Sequence, residues 1–190
     1  MQRLPQILLV VTFIGFSWLA MQAAHEAGHV LVARLTGGEV IKVALHPLIV
    51  SRTDLGENPQ PLAVVWGGPL VGSVLPLLVF AVAAACRAPG VYLFRFFAGF
   101  CLVANGVYIG TGWWFADGAD PSVMTENGSP VWMLVLFGLL AAPLGLYLWQ
   151  RQGPHFGLGA AKGNVSLRAA VISAALFLVL TGVELIRNSK

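Results

Sequence analysis

Apolar residues run through this chain in blocks too long for strands and too continuous for the half-buried helices of a water-soluble domain. Five blocks stand out, at about Ile7–Leu35, Pro61–Cys86, Val91–Phe115, Val131–Trp149 and Leu167–Ile186. Runs of this length with few charges read as membrane-crossing helices. The first block, 29 residues from Ile7 to Leu35, would reach about 43 Å as a helix, so it should tilt or protrude from a hydrocarbon core of about 30 Å. The third carries Gly99, Gly106, Gly110 and Gly112. A break in that helix is expected to be tolerable only where protein or a water cavity covers the backbone.

The polar segments between the blocks carry their own signals. Thr36–Gln60 opens with Gly37-Gly38 and continues as Glu39-Val-Ile-Lys-Val-Ala-Leu. That alternation predicts a short strand or hairpin near the membrane surface. Asp54, Gly56, Asn58 and Pro59 then predict a turn before the second span. Cys86–Gly90 is a tight connection, Ala116–Pro130 holds three acidic residues and no basic one, and Gln150–Ser166 is glycine-rich. The expected fold is an all-α membrane protein: one polytopic helical bundle of about five spans over residues 1–190, with a short β-hairpin after the first span.

Composition agrees with that class. Only 10% of the 190 residues are charged and 57% are hydrophobic, against about 25% charged in a typical soluble domain. Mean hydropathy is +0.80. A multi-pass protein is expected, in the plasma (inner) membrane if the chain is bacterial. A secretory signal is a poorer reading of the first block, which is too long for one and is followed by no soluble domain to export. The net charge of +3 is too modest to suggest nucleic acid and fits juxtamembrane anchoring. Basic residues divide six (Arg3, Arg87, Arg95, Arg151, Lys162, Arg168) to five (Arg34, Lys42, Arg52, Arg187, Lys190) between the two sides, so they assign no orientation. Cys86 and Cys101 lack CxxC spacing and read as small buried hydrophobes.

Against this apolar background the stretch His25-Glu26-Ala27-Gly28-His29 stands inside the first span. Residues i and i+4 share a helix face, so the two imidazoles can converge on one metal ion. The glutamate beside the first histidine can hold a water there and take its proton. The rival reading is a chance match whose histidines bond only to neighbouring spans. The expense of ionisable groups in a membrane weakens it, since such groups mark function by default. A catalytic zinc usually has three protein ligands. His46 and His155 have no partner at helical spacing and read as surface or interface residues. Asp117 and Asp120, in Asp117-Gly118-Ala119-Asp120-Pro121, fall on the side where the first span ends. This segment also predicts a turn and a helix start, and both readings hold together if Asp117 is a ligand and Asp120 a cap.

Taken together, these motifs resemble the site-2 protease family of intramembrane zinc metallopeptidases. His25-Glu26-Ala27-Gly28-His29 in an early span, Gly67-Gly68-Pro69-Leu70-Val71-Gly72 in a later one and Asp117-Gly118 occur in the family's order, over roughly residues 20–125. The resemblance implies one zinc ion held by His25, His29 and Asp117, with Glu26 as general base. It implies that Gly67, Gly68, Pro69 and Gly72 help shape a substrate groove. The family places an asparagine and prolines just before its Asp-Gly. Here Asn105 lies further upstream and no proline intervenes, which leaves Asp120 open as the alternative third ligand. It also leaves Asn105 open between a hydrogen bond to a developing oxyanion and an interhelical hydrogen bond. The implied activity is hydrolysis of a peptide bond in or near a membrane-embedded segment of a protein substrate. With no added PDZ or CBS module, any regulator is expected to be another membrane protein. The alternatives are a catalytically inactive or non-proteolytic metal-binding membrane protein of the same fold, and a hydrolase using the same zinc on a lipid amide or ester.

Overall fold

Each apolar block forms a helix, as a chain in hydrocarbon must when it has to satisfy its own backbone hydrogen bonds. The computed structural model describes residues 3–48, 50–114 and 118–188. In chain order the elements are α1 (Leu4–Leu35), β1 (Val40–Ala44), β2 (Arg52–Leu55), α2 (Pro61–Ala85), α3 (Val91–Gly112), α4 (Asp120–Glu126), α5 (Val131–Trp149) and α6 (Leu167–Asn188). Short 3-10 turns at Gly153–Phe156 and Gly159–Ala161 precede α6. Among the described residues, α1, α2, α3, α5 and α6 are long and apolar enough to cross a membrane. Their outward faces carry exposed Leu78, Leu139, Leu140, Leu178 and Val179, the arrangement expected where the surroundings are lipid rather than water.

Proline sets two of the helix starts. Pro5 and Pro61 stand in the first turns of α1 and α2, where the missing N–H removes no helical bond. α1 therefore begins at Leu4, ahead of the expected Ile7, and its 32 residues reach about 48 Å. α3 ends at Gly112 rather than Phe115, and Phe115 lies outside the described residues. The break that its glycines would allow does not occur: the helix runs unbroken from Val91 to Gly112. Its glycines serve contact instead, since a Cβ on Gly106 would press on the Ala142 backbone and one on Gly110 on Gly138 of α5.

α1 packs on α2 and α6, α2 also packs on α3, and α3 packs on α5. α1 and α3 thus share α2 as a common support and touch each other only locally. At one end of the bundle Leu9, Phe13, Phe156 and Ala170 form a buried apolar cluster. At the other end lie the hairpin and α4. The two strands pair antiparallel, with Val40 opposite Leu55 and Ala44 opposite Arg52, and an irregularity between Val40 and Lys42. Asp54 belongs to β2, so the turn expected to begin there starts after Leu55. Cys101 is buried as expected, whereas Cys86 ends α2 and is exposed.

Candidate metal centre

His25, Glu26 and His29 are all buried in α1. They lie about two to three turns before the helix end at Leu35. The helix repeat brings the imidazoles to one face, with ring centroids 4.8 Å apart. α2 can close on that face because it presents Gly68: a Cβ there would collide with Nε2 of both His25 and His29. Gly28 and Gly67 meet in the same seam, and Gly72 lies against the His25 backbone and the Asn105 amide.

The outer nitrogen of each ring is already used. Asn105 Nδ2 donates to the Cys101 carbonyl at 2.9 Å, so the amide oxygen faces His25. His25 Nδ1–H then donates to Asn105 Oδ1 at 2.6 Å. His29 Nδ1–H donates to the Val64 carbonyl at 2.9 Å. With both Nδ1 atoms protonated, neutral rings carry lone pairs on both Nε2 atoms. These two atoms lie 3.0 Å apart. Asp120 Oδ2 completes the triangle, 2.8 Å from His25 Nε2 and 3.4 Å from His29 Nε2.

Three electron-pair donors facing one another repel unless a proton or a cation lies among them. If a ring nitrogen is protonated, the carboxylate is its partner. Burial opposes the Asp120 charge, but hydrogen bonds from His25 and His29 and their attraction outweigh it and hold its carboxyl below the usual carboxylate range. If a metal ion is bound, the same atoms are its ligands. Zinc distances of about 2.0–2.2 Å in tetrahedral geometry put neighbouring ligand atoms about 3.3 Å apart, which matches the His29–Asp120 edge of 3.4 Å and asks the other two, at 2.8 and 3.0 Å, to open by a few tenths of an ångström. His25, His29 and Asp120 could therefore hold a metal ion.

Asp120 opens α4, and its backbone N–H donates to the phenolic Oη of Tyr108 at 3.2 Å. Its side chain makes no cap bond, and Ala119 is the N-cap. The expectation of Asp120 as a cap is therefore corrected: its carboxylate turns to the histidines. Asp117 lies outside the described residues. Asn105 makes the interhelical bond, with its carbonyl on His25. His46 and His155 stand apart from the cluster: His46 Nδ1 accepts from the Leu48 N–H, and His155 stacks on Tyr92.

Beside the face that carries the His25, His29 and Asp120 side chains is a cavity of about 870 Å³. Trp18 and Met21 of α1 and Val103, Val107 and Tyr108 of α3 contribute to its wall. The expected groove residues Gly67, Gly68, Pro69 and Gly72 do not line it. They are buried, and α2 reaches the cavity through Pro61, Val64 and Val65 instead. The reason is close packing: Gly68 is covered by the two imidazoles, Gly67 by Gly28 and Val32, and Gly72 by the His25 backbone and the Asn105 amide.

Several partners in the site escaped the motif reading. Gln22, Ser51 and Thr53 bond around Glu26, Tyr108 supports Asp120, and the Val64 carbonyl orients His29. Gln22 stands one helical turn before Glu26, which is a visible signal, whereas the uniformly polar Ser51-Arg52-Thr53 carries none. Comparison with known proteins finds no family model, no curated relative and no solved structure that matches the chain.

Proposed function

We propose that this chain is an intramembrane zinc metalloendopeptidase, cutting a peptide bond in or near a membrane-embedded segment of a protein substrate. The observation that carries the reading is the triangle of His25 Nε2, His29 Nε2 and Asp120 Oδ2, with Glu26 beside it on α1 and a large cavity against both. Two imidazoles and a carboxylate suit zinc and leave a fourth position open. The resemblance of the motifs to the site-2 protease family supports the same conclusion.

Zinc held there would supply Lewis acidity toward a substrate carbonyl and make water a better nucleophile. The chain's own residues do the rest. Asn105 and Val64 fix the ring orientations, as outer partners of metal-ligating histidines commonly do. Glu26 takes the proton of the attacking water and delivers it to the leaving amine. The space between α1 and α3, lined by Trp18, Val103 and Val107, admits the substrate segment.

Glu26→Gln tests this reading. The variant should retain metal and lose about 10²–10⁴-fold in cleavage of a membrane-anchored substrate. A variant that cuts at the wild-type rate would remove Glu26 as base. Wild-type protein that holds metal and cuts nothing would leave a non-proteolytic metal-binding membrane protein of the same fold.

A further inference from the structure

Among the described residues, Glu26 draws its side-chain hydrogen bonds from the hairpin. Ser51 Oγ donates to Glu26 Oε1 at 2.7 Å, and Thr53 Oγ1 donates to Oε2 at 2.6 Å. Ser51 stands immediately before β2 and Thr53 within it, and residues i and i+2 of extended chain share a face, so the two hydroxyls turn together toward α1. Arg52, between them, is exposed and pairs with Asp54 at 3.0 Å. A further bond pins the backbone just ahead of β2: the Ser51 N–H donates to Gln22 Oε1 at 2.7 Å. Gln22 lies four residues before Glu26, on the same face of α1, and is only 4% exposed.

Such a strap can either block a site or hold it in working order. A blocking strap would fill the space beside the imidazoles. Here His25, Glu26 and His29 share the wall of the open cavity with Ser51 and Thr53, so strap and substrate have room together. The two hydroxyls use two of a carboxylate's roughly four lone-pair sites, which leaves others to accept a proton.

We propose that Ser51 and Thr53 are positioning residues: the hairpin, pinned through Gln22, grips the Glu26 carboxylate and holds it in the orientation in which it acts as a base. This rests on the reading of Glu26 given above. The grip requires hydroxyls in these places rather than a particular side-chain bulk. A base released from its orientation loses rate, since misplacement by about 1 Å can remove about 100-fold.

The test uses the full chain, zinc-loaded in nanodiscs. A single-span peptide carrying a fluorophore and a quencher is the probe. Ser51→Ala with Thr53→Val should lower kcat by about 100-fold, with KM and zinc content unchanged. The exchange Ser51→Thr with Thr53→Ser keeps both hydroxyls and should restore most of the loss. Infrared difference spectra against Glu26→Gln isolate the Glu26 carboxylate band. That band should move in the hydroxyl-free double variant and stay in place in the exchanged one. An unchanged kcat in the hydroxyl-free variant overturns the proposal, as does an exchanged variant equally slow. If the wild type leaves the peptide uncut, or Glu26→Gln cuts as fast, the base reading has failed. The infrared band then judges the grip alone, and an unmoved band overturns it.

Discussion

Two seams in this bundle are built on glycine, and they serve different ends. Between α3 and α5, Gly106 and Gly110 face Ala141, Ala142 and Gly138, so backbone meets backbone and the gain is close packing alone. Between α1 and α2, Gly28 meets Gly67 in the same manner, but Gly68 lies directly against the two imidazoles. Small residues in a membrane helix mark a place where another helix comes near. They say nothing about chemistry until the facing helix brings it. Glycine, which tightens α3 against α5, also lets α2 form the floor of the candidate metal centre.

The sharpest way to break this contrast is to fill both seams. Gly68→Ala should weaken metal binding by about 100-fold or more, since it displaces both ligands where loss of an outer partner alone costs about 10–100-fold. Gly110→Ala should overpack its seam, at about 1–3 kcal/mol of stability, and leave metal affinity untouched. Chelator competition and thermal unfolding of the two variants read the difference. If affinity falls only as stability falls, in both, the seams are equivalent.

A smaller effect is expected one shell out. Asn105→Leu removes the acceptor for the His25 Nδ1–H and should weaken metal binding by about 10–100-fold, with the fold retained. Titration with zinc checks it, and unchanged affinity would mean that the rest of the site holds His25. Smaller still, Tyr108→Phe deprives the Asp120 N–H of its acceptor, a bond worth about 0.5–1.5 kcal/mol. It should lower zinc affinity only a few-fold.

The least effect concerns acid. In metal-free protein the Asp120 carboxyl is held below its ordinary range by His25 and His29 against the opposing effect of burial. Its lowered folded value means that the carboxylate contributes stability above the unfolded value of about 3.9 and loses it as pH falls through the folded one. The wild type should therefore melt above Asp120→Asn at pH 5, and the gap should close on acidification below about pH 4. A gap that widens on acidification would contradict the sign.

Much of this arrangement is legible in the sequence because lipid imposes strong rules. The spans at Val131–Trp149 and Leu167–Ile186 are placed by length and apolarity alone. The ends of α1 and α3 differ by three residues from the apolar blocks, because Pro5 and Gln6 extend a first turn and Gly112 ends a last one. His25, Glu26 and His29 are legible because helical spacing fixes a shared face. Which aspartate returns to them is not, because a turn has no such period. Asp120 reaches the imidazoles through its place at the start of α4, with Tyr108 behind its backbone and Pro121 against Gly112. The grip of Ser51 and Thr53 on Glu26 spans 25 and 27 residues, and only the folding back of the hairpin brings it about.

The most direct test of the central claim is the metal content of the purified protein, wild type beside His25→Ala, His29→Ala, Asp120→Ala and Asp117→Ala. Near-stoichiometric zinc is expected in the wild type, lost with either histidine and with Asp120, and kept in Asp117→Ala. Zinc absent from the wild type, or retained when both histidines and Asp120 are replaced, would contradict the claim.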